Sequence, residues 1–205
     1  MSYAEFPSKA LEKAVSHFAS LPGIGRKTAF RLVMSLLRKE KEEVIRFGES
    51  IATLHDNIVR CKMCNNISDS DVCNICADDK RDKSSICVVE NIQDVIAIEN
   101  TRQFRGVYHV LCGIISPVEG IKPSDLNINS LEEKATSGNV NEIIFALSAT
   151  IEGDTTNFYL YKKLSKYNVT LTALARGVAI GDELEYTDEI TLGRAINNRN
   201  PYRQS

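Results

Sequence analysis

Hydrophobic residues in the first third of the chain recur at helical spacing. Ser8 follows Pro7 as a candidate N-cap, and Leu11, Ala14, Val15 and Phe18 come next at i, i+3, i+4 and i+7. This predicts an amphipathic helix that stops at Leu21-Pro22-Gly23-Ile24-Gly25. Ala29, Phe30, Leu32, Val33, Leu36 and Leu37 define the apolar face of a second helix. A third is expected from about residue 42 to 59, where Val44, Phe47, Ile51, Leu54 and Ile58 fall close to a heptad stripe. Core packing is the plain reading of that stripe. Self-association is the sharper one, because a module this small often buries its stripe against a partner. From residue 84 the pattern changes. Ile86-Cys87-Val88-Val89 and the segments 107–111, 142–147 and 169–174 read as strands, with helical spacing at Val95, Ile96 and Ile98 and again over 155–164. Strand alternating with helix predicts parallel βαβ units, with a sheet covered on both faces. The expected class is α+β and multidomain, with helices first and an α/β domain later.

Between these regions lie Cys61-Lys62-Met63-Cys64 and, after eight residues, Cys73-Asn74-Ile75-Cys76. Two Cys-x-x-Cys knuckles at this spacing present four thiolates to one ion, which predicts a closed tetrahedral site holding one structural Zn²⁺ per chain. The module has no histidine, so Cys61, Cys64, Cys73 and Cys76 are the expected ligands. Two disulfides are the alternative, but nothing in the sequence gives a secretory context for them. The charged run Ala77-Asp78-Asp79-Lys80-Arg81-Asp82-Lys83 reads as a solvated linker. Cys87 and Cys112 sit in apolar runs and are expected to be buried small hydrophobes. His17, His55 and His109 read as ordinary packed or exposed side chains. No signal pattern and no apolar run of membrane-spanning length appears, which predicts a cytoplasmic chain with no membrane association.

The formal net charge of the 205 residues is −2, which argues weakly against a nucleic-acid partner. Its distribution argues the other way. Residues 1–60 carry ten basic and seven acidic side chains, whereas residues 84–205 carry eleven and fifteen. The basic end contains the helix, Gly-Ile-Gly turn, helix pattern of a helix-hairpin-helix. Gly23 and Gly25 permit a tight turn whose N–H groups face outward at the start of the second helix, a nest suited to phosphate. Arg26, Lys27 and Arg31 add charge beside it. Contact with backbone phosphate predicts DNA binding without sequence preference. The alternative is a packing unit with no ligand.

Acidic residues follow two of the strands: Glu90 after the first, and Glu152-Gly153-Asp154 after the third. In parallel sheets ligands gather at the carboxyl ends of strands. Acids meeting there could hold Mg²⁺; a solvated acidic rim is the alternative. Val88-Val89-Glu90, with paired acids after a later strand, resembles a Toprim domain, the metal-dependent domain of topoisomerases and primases. Catalytic members carry Asp-x-Asp where Glu152-Gly153-Asp154 stands here, and none of the seven tyrosines sits in an activating motif. The domain is therefore read as non-catalytic; the competing reading is a Toprim-based, metal-dependent DNA-processing enzyme.

The order of modules resembles the family of the bacterial recombination protein RecR over nearly the whole chain. The stretches that carry the likeness are Leu21-Pro22-Gly23-Ile24-Gly25-Arg26-Lys27, the two knuckles with Asn66-Ile67-Ser68, and Ile86-Cys87-Val88-Val89-Glu90. Tyr108-His109-Val110-Leu111, Ile115-Ser116-Pro117 and Gly181-Asp182-Glu183-Leu184-Glu185-Tyr186 add to it. Ala179 and Asp182 depart from the family's usual Pro and Gly. The resemblance implies a mediator of recombinational repair and not an enzyme. It implies a dimer or a tetrameric ring that encloses single- or double-stranded DNA. It further implies RecO and/or RecF as partners in loading RecA onto gapped single strands coated with single-strand-binding protein. It places Lys27 and Arg31 among DNA-contacting positions, and Glu90, Glu152 and Asp154 on a partner-binding surface. The domains expected are 1–60 (helix-hairpin-helix), 61–83 (zinc finger and linker), 84–174 (Toprim) and 175–205 (C-terminal element and tail).

Overall fold

The computed structural model describes residues 6–179, 181, 183–199 and 201. The backbone divides into two compact units, residues 1–57 and 58–205. In the first, helix α1 (Lys9–Ala19) starts at Ser8, whose side chain accepts from the Leu11 N–H. Helix α2 (Arg26–Leu36) packs on it through Val15, Ala29 and Val33, with Phe6, Leu11, Ala14, Phe18 and Ile24 around them. The predicted faces of α1 and α2 are thus the buried ones, although Phe30, Leu32 and Leu37 at the margin of α2 stay exposed.

The third predicted helix differs in two respects. It is split into α3 (Lys41–Ala52) and the single turn α4 (Leu54–Asn57), and the chain then turns into strand. Neither buries a residue: Phe47, Ile51 and Leu54 are 44%, 56% and 51% exposed. Core packing within the chain is therefore not what the stripe does.

The second unit opens with β1 (Val59–Arg60) and β2 (Ile67–Ser68), an antiparallel ribbon that carries the first knuckle between its strands. The short helix α5 (Asn74–Ala77) carries Cys76 of the second knuckle. A four-stranded, fully parallel sheet follows in the order β4-β3-β5-β6, built from β3 (Asp82–Val89), β4 (Gly106–Val110), β5 (Glu142–Phe145) and β6 (Thr170–Ala173). Helices α6 (Ile92–Thr101), α7 (Ile128–Thr136) and α8 (Ile151–Leu164) make the crossovers. The period of two in β3 divides its side chains between two cores. Ile86 and Val88 face Leu111, Leu131, Ile143 and Leu160, whereas Cys87 and Val89 face Val95, Tyr108 and Val110. After the sheet, α9 (Glu189–Asn197) begins at Asp188, whose carboxylate accepts from the Thr191 N–H. Asp182, one of the two departures from the family pattern, lies outside the described residues.

Two expectations are corrected here. The run 77–83 is not a solvated linker at its end: β3 already begins at Asp82, and Arg81 is anchored. Its guanidinium makes a bidentate pair with Glu99 at 2.8 and 2.5 Å and also donates to the Gly106 carbonyl. Tyr108 donates to the same Glu99 carboxylate at 2.6 Å. A linker with one arginine in such a fork is fixed to the sheet. Cys87 is buried as expected, but Cys112 is exposed. It sits just past β4 at φ +65°, and its sulfur accepts from Asn65 Nδ2 at 3.1 Å.

Candidate functional site: a helix hairpin, a four-thiol centre and a sheet edge

The turn between α1 and α2 forms from local constraints. Leu21 N–H donates to Phe18 and Ile24 N–H to Leu21, closing the chain around Pro22-Gly23. Gly23 has φ +77°, where a side chain is strained. Gly25, the N-cap of α2, has φ −75° and ψ 160°, which any residue adopts. Its glycine is not required by the backbone, and a Cβ there would meet nothing within 4 Å. What the missing side chain leaves is open access to the N–H groups of the first turn. No side chain caps them, and the first turn holds no acidic residue. This helix start can receive an anion. Lys27 and Arg31 are exposed and form no ion pair among the described residues. Arg26 differs: its guanidinium lies over the Phe6 ring, 5.6 Å from the centroid. Gly23 and Gly25 form the turn, Lys27 lies in the first turn of α2 and Arg31 one turn further along the helix, and Arg26 stacks on Phe6.

The ligand atoms of Cys61, Cys64, Cys73 and Cys76 all lie within 4.8 Å of one another, and three of the four residues are buried. Cys64 and Cys73 sulfurs are 3.6 Å apart. A tetrahedron with Zn–S bonds of about 2.3 Å has edges of roughly 3.8 Å, so the four fit zinc. The ribbon sets the geometry: Cys61 N–H donates to Asn66, Asn65 N–H returns to Cys61, and Asn65 takes φ 63° to make the knuckle. Electrostatics favour the same conclusion. Burial pushes Cys61 up, but N–H groups from Cys73, Cys64 and Met63 outweigh it and bring the thiol to about 7. Cys64 is raised by its neighbour Cys76 and by burial, and Cys73 is raised chiefly by burial. Four thiols crowded in this way ionise together only around a cation.

The module is tied to the sheet by its first knuckle. The Val110 N–H donates to the Cys64 carbonyl at 2.8 Å, and Asn65 Nδ2 donates to the Val110 carbonyl at 3.1 Å. The adjacent His109 is fully buried. Sequence reasoning assigns it no role. Its Nε2 lies 2.6 Å from the Asn127 carbonyl, which can only accept, so Nε2 carries the proton. Its Nδ1 is then an acceptor, and Lys134 Nζ sits 3.1 Å away. Burial, then the charge of Lys134, pull His109 down to about 3. The one signal available in the sequence is a histidine inside the apolar strand 107–111.

The sheet-edge acids are not brought together. Glu90 directly follows β3, its carbonyl accepting from Cys112 and Gly113, and burial, then Asp94 and Glu119, push its carboxyl up. Glu152 and Asp154 lie in the first turn of α8, one turn earlier than the predicted helix start. The intervening Gly153 is a packing requirement: a Cβ there would stand 2.0 Å from the Ser148 carbonyl oxygen. Asp154 is paired with Arg176 and, at 3.4 Å, with Arg194 of α9. Among the described residues Cys61, Cys64, Cys73 and Cys76 are the one group of three or more candidate ligands whose atoms all lie within 4.8 Å of one another, and Glu90, Glu152 and Asp154 form no such group.

Comparison with known proteins gives four matches in chain order. Residues 11–55 match the RecR helix-hairpin-helix, 58–78 the RecR four-cysteine zinc finger domain, 84–175 a Toprim domain, and 177–200 the RecR C-terminal family. Among similar curated proteins, Recombination protein RecR of Bacteroides fragilis is 60% identical over 198 residues, covering 97% of each chain. That of Porphyromonas gingivalis is 56% identical over 201 residues, covering 98% of this chain and 97% of its own. That of Flavobacterium johnsoniae is 54% identical over 201 residues, covering 98% of both.

Proposed function

Because the chain belongs to the RecR family of recombination proteins, we propose that it is a non-catalytic, DNA-binding mediator of recombinational repair in the cytoplasm. The observation that carries this reading is the start of α2. It has uncapped N–H groups, a glycine whose absent side chain serves access and not conformation, and exposed Lys27 and Arg31 alongside. A phosphate seated there is held by backbone dipoles and charge, without reading bases. Zinc bound by Cys61, Cys64, Cys73 and Cys76 has a structural role, since four thiolates leave no position open for chemistry.

One weakly basic hairpin binds DNA weakly. Several copies in a dimer or tetrameric ring would bind by avidity, and the exposed stripe of α3 offers a surface for such assembly. RecO and/or RecF are the proposed protein partners, meeting the acidic surface at Glu90 and Glu152 through basic residues of their own and helping to load RecA on coated single strands. Asp154 contributes less to that surface, since two arginines already engage it. The same pairing counts against a Toprim-based enzyme, whose metal would need that carboxylate free.

The test is DNA binding by the purified protein, on single and double strands, over a range of salt. Binding is expected to be salt-sensitive and sequence-independent. Lys27→Ala with Arg31→Ala should weaken it on all sequences and reduce the salt slope by about two per engaged hairpin. An unchanged slope in the folded double variant would place the DNA surface elsewhere. Cleavage or synthesis on addition of Mg²⁺ would replace this reading with the enzymatic one.

A further inference from the structure

Lys134 is a cation without an anion of the usual kind. It lies in the last turn of α7, half-buried, and forms no salt bridge with a carboxylate among the described residues. Its hydrogen-bond partner, His109 Nδ1, is the lone pair of a neutral ring. Taking an ammonium out of water without a counter-charge is costly, and such groups are ordinarily paired. The negative charge near it is that of the cysteines. Lys134 shares the wall of one cavity, about 230 Å³, with Cys76 and with Met63 of the first knuckle. Burial depresses the ammonium, while the thiolates of Cys64, Cys76 and Cys61 act in the opposite sense.

Four thiolates around Zn²⁺ carry a net charge of −2. Of the cations nearby, Lys62 of the first knuckle is taken by Asp71, Lys83 of the same cavity wall pairs with Asp79 at 3.2 Å, and the guanidinium of Arg60 in β1 donates to the Asn65 carbonyl at 3.2 Å. We propose that Lys134 is a positioning residue for the zinc centre: its ammonium, aimed by His109, balances the excess charge of the tetrathiolate and slows loss of the metal. This rests on the reading of the four cysteines as zinc ligands. The His109 ring is fixed from the other side by the Asn127 carbonyl at 2.6 Å, so the lysine is held by a chain that begins at the N-cap of its own helix. The Toprim domain would thus supply the metal centre with a charge just outside its thiolate ligands, across the cavity that Lys134 and Cys76 share.

The experiment first measures zinc in the purified full-length protein. Less than one ion per chain would overturn the zinc reading itself. Given stoichiometric metal, the rate of zinc transfer to a chromogenic chelator is compared among wild type, Lys134→Met, Lys134→Gln and Lys134→Arg, with fold checked by circular dichroism. The methionine variant keeps the stem and removes the charge; the glutamine variant serves if methionine does not fold. Outer-shell losses of this kind change metal affinity by about 10- to 100-fold, so the uncharged variants should release zinc at least tenfold faster. Lys134→Arg, which has the cavity to extend into, should stay near the wild-type rate. Wild-type release from a folded, uncharged variant would overturn the proposal. So would an arginine variant as labile as methionine, because the stem and not the charge would then be the cause.

Discussion

At the scale of single residues, His109 decides a measurable property. In the folded chain its pKa is pulled down to about 3, whereas an unfolded histidine titrates near 6.5. The unfolded state therefore binds the proton first. Stability from this site is complete above roughly pH 6.5 and is lost as pH falls below that value, by about 1.4 kcal/mol per pH unit until the folded pKa is reached. Denaturant unfolding at pH 7.5 and 5.5 should show that loss in the wild type, and His109→Gln should remove about one unit's worth of it. Equal pH dependence in both proteins would mean the ring is not held neutral. His109 and Lys134 escape the sequence because they stand 25 positions apart and meet only through the β4–α7 crossover. The cysteines are legible because tetrahedral coordination constrains spacing along the chain itself. Cys112 misleads for the opposite reason: its apolar neighbours describe β4, and the chain has already left the strand in a left-handed turn.

At the scale of elements, periodicity places α1, α2 and the four strands; β3, β4 and β5 bury residues along their length, whereas β6 at the sheet edge buries none and α2 leaves Phe30, Leu32 and Leu37 exposed. Boundaries fail where a local interaction outweighs the pattern. The heptad stripe carries the third helix to residue 59, but Val59 and Arg60 pair with Ser68 and Ile67, and the ribbon ends the helical run. Helical spacing starts α8 too late because Ile151 is apolar yet exposed; the Thr150 side chain, accepting from the Gly153 N–H, caps the helix there. The ribbon also lends the sheet its edge contacts. Cys61→Ser should therefore do more than release zinc. With the knuckle disordered, the Val110 amide loses the Cys64 carbonyl that it bonds at 2.8 Å, and its hydrogen exchange should accelerate by at least about tenfold. Zinc retained at one ion per chain, with Val110 still protected, would contradict the four-thiolate centre.

At the scale of the whole molecule, the two units carry opposite balances of charge, and each can be assigned a task of its own. The first presents an uncapped helix start beside exposed Lys27 and Arg31, and an apolar stripe with no residue buried on α3. The second holds the four-thiol centre and the acidic sheet edge. A stripe exposed to this degree on so small a unit calls for a partner, and a second copy is the one proposed. Sedimentation of the wild type should give a dimer or tetramer, and Phe47→Asp with Ile51→Asp should lower the mass by at least half while leaving helicity intact. A monomeric wild type would remove the ring from the proposal, and an unchanged mass in the variant would move assembly to another surface. None of this is decidable from the heptad pattern, which is the same for a buried helix and for an interface.

The order β4-β3-β5-β6 has a consequence in time. As the chain is synthesised, β3 meets β4 soon after both emerge, and the ribbon is already present to hold Val110. Its other neighbour, β5, arrives at residue 145, and the covering helix α8 is complete only at residue 164. At about 5–20 residues per second, the interval from residue 110 to 164 lasts roughly 3–10 s. Until α8 is made, the face of Ile86 and Val88 has the cover of Leu111 and α7 but lacks that of Leu160 and Leu164. Nascent chains paused there display a half-built sheet, and it is at this length, more than in the finished protein, that a ribosome-bound chaperone would find the most to hold.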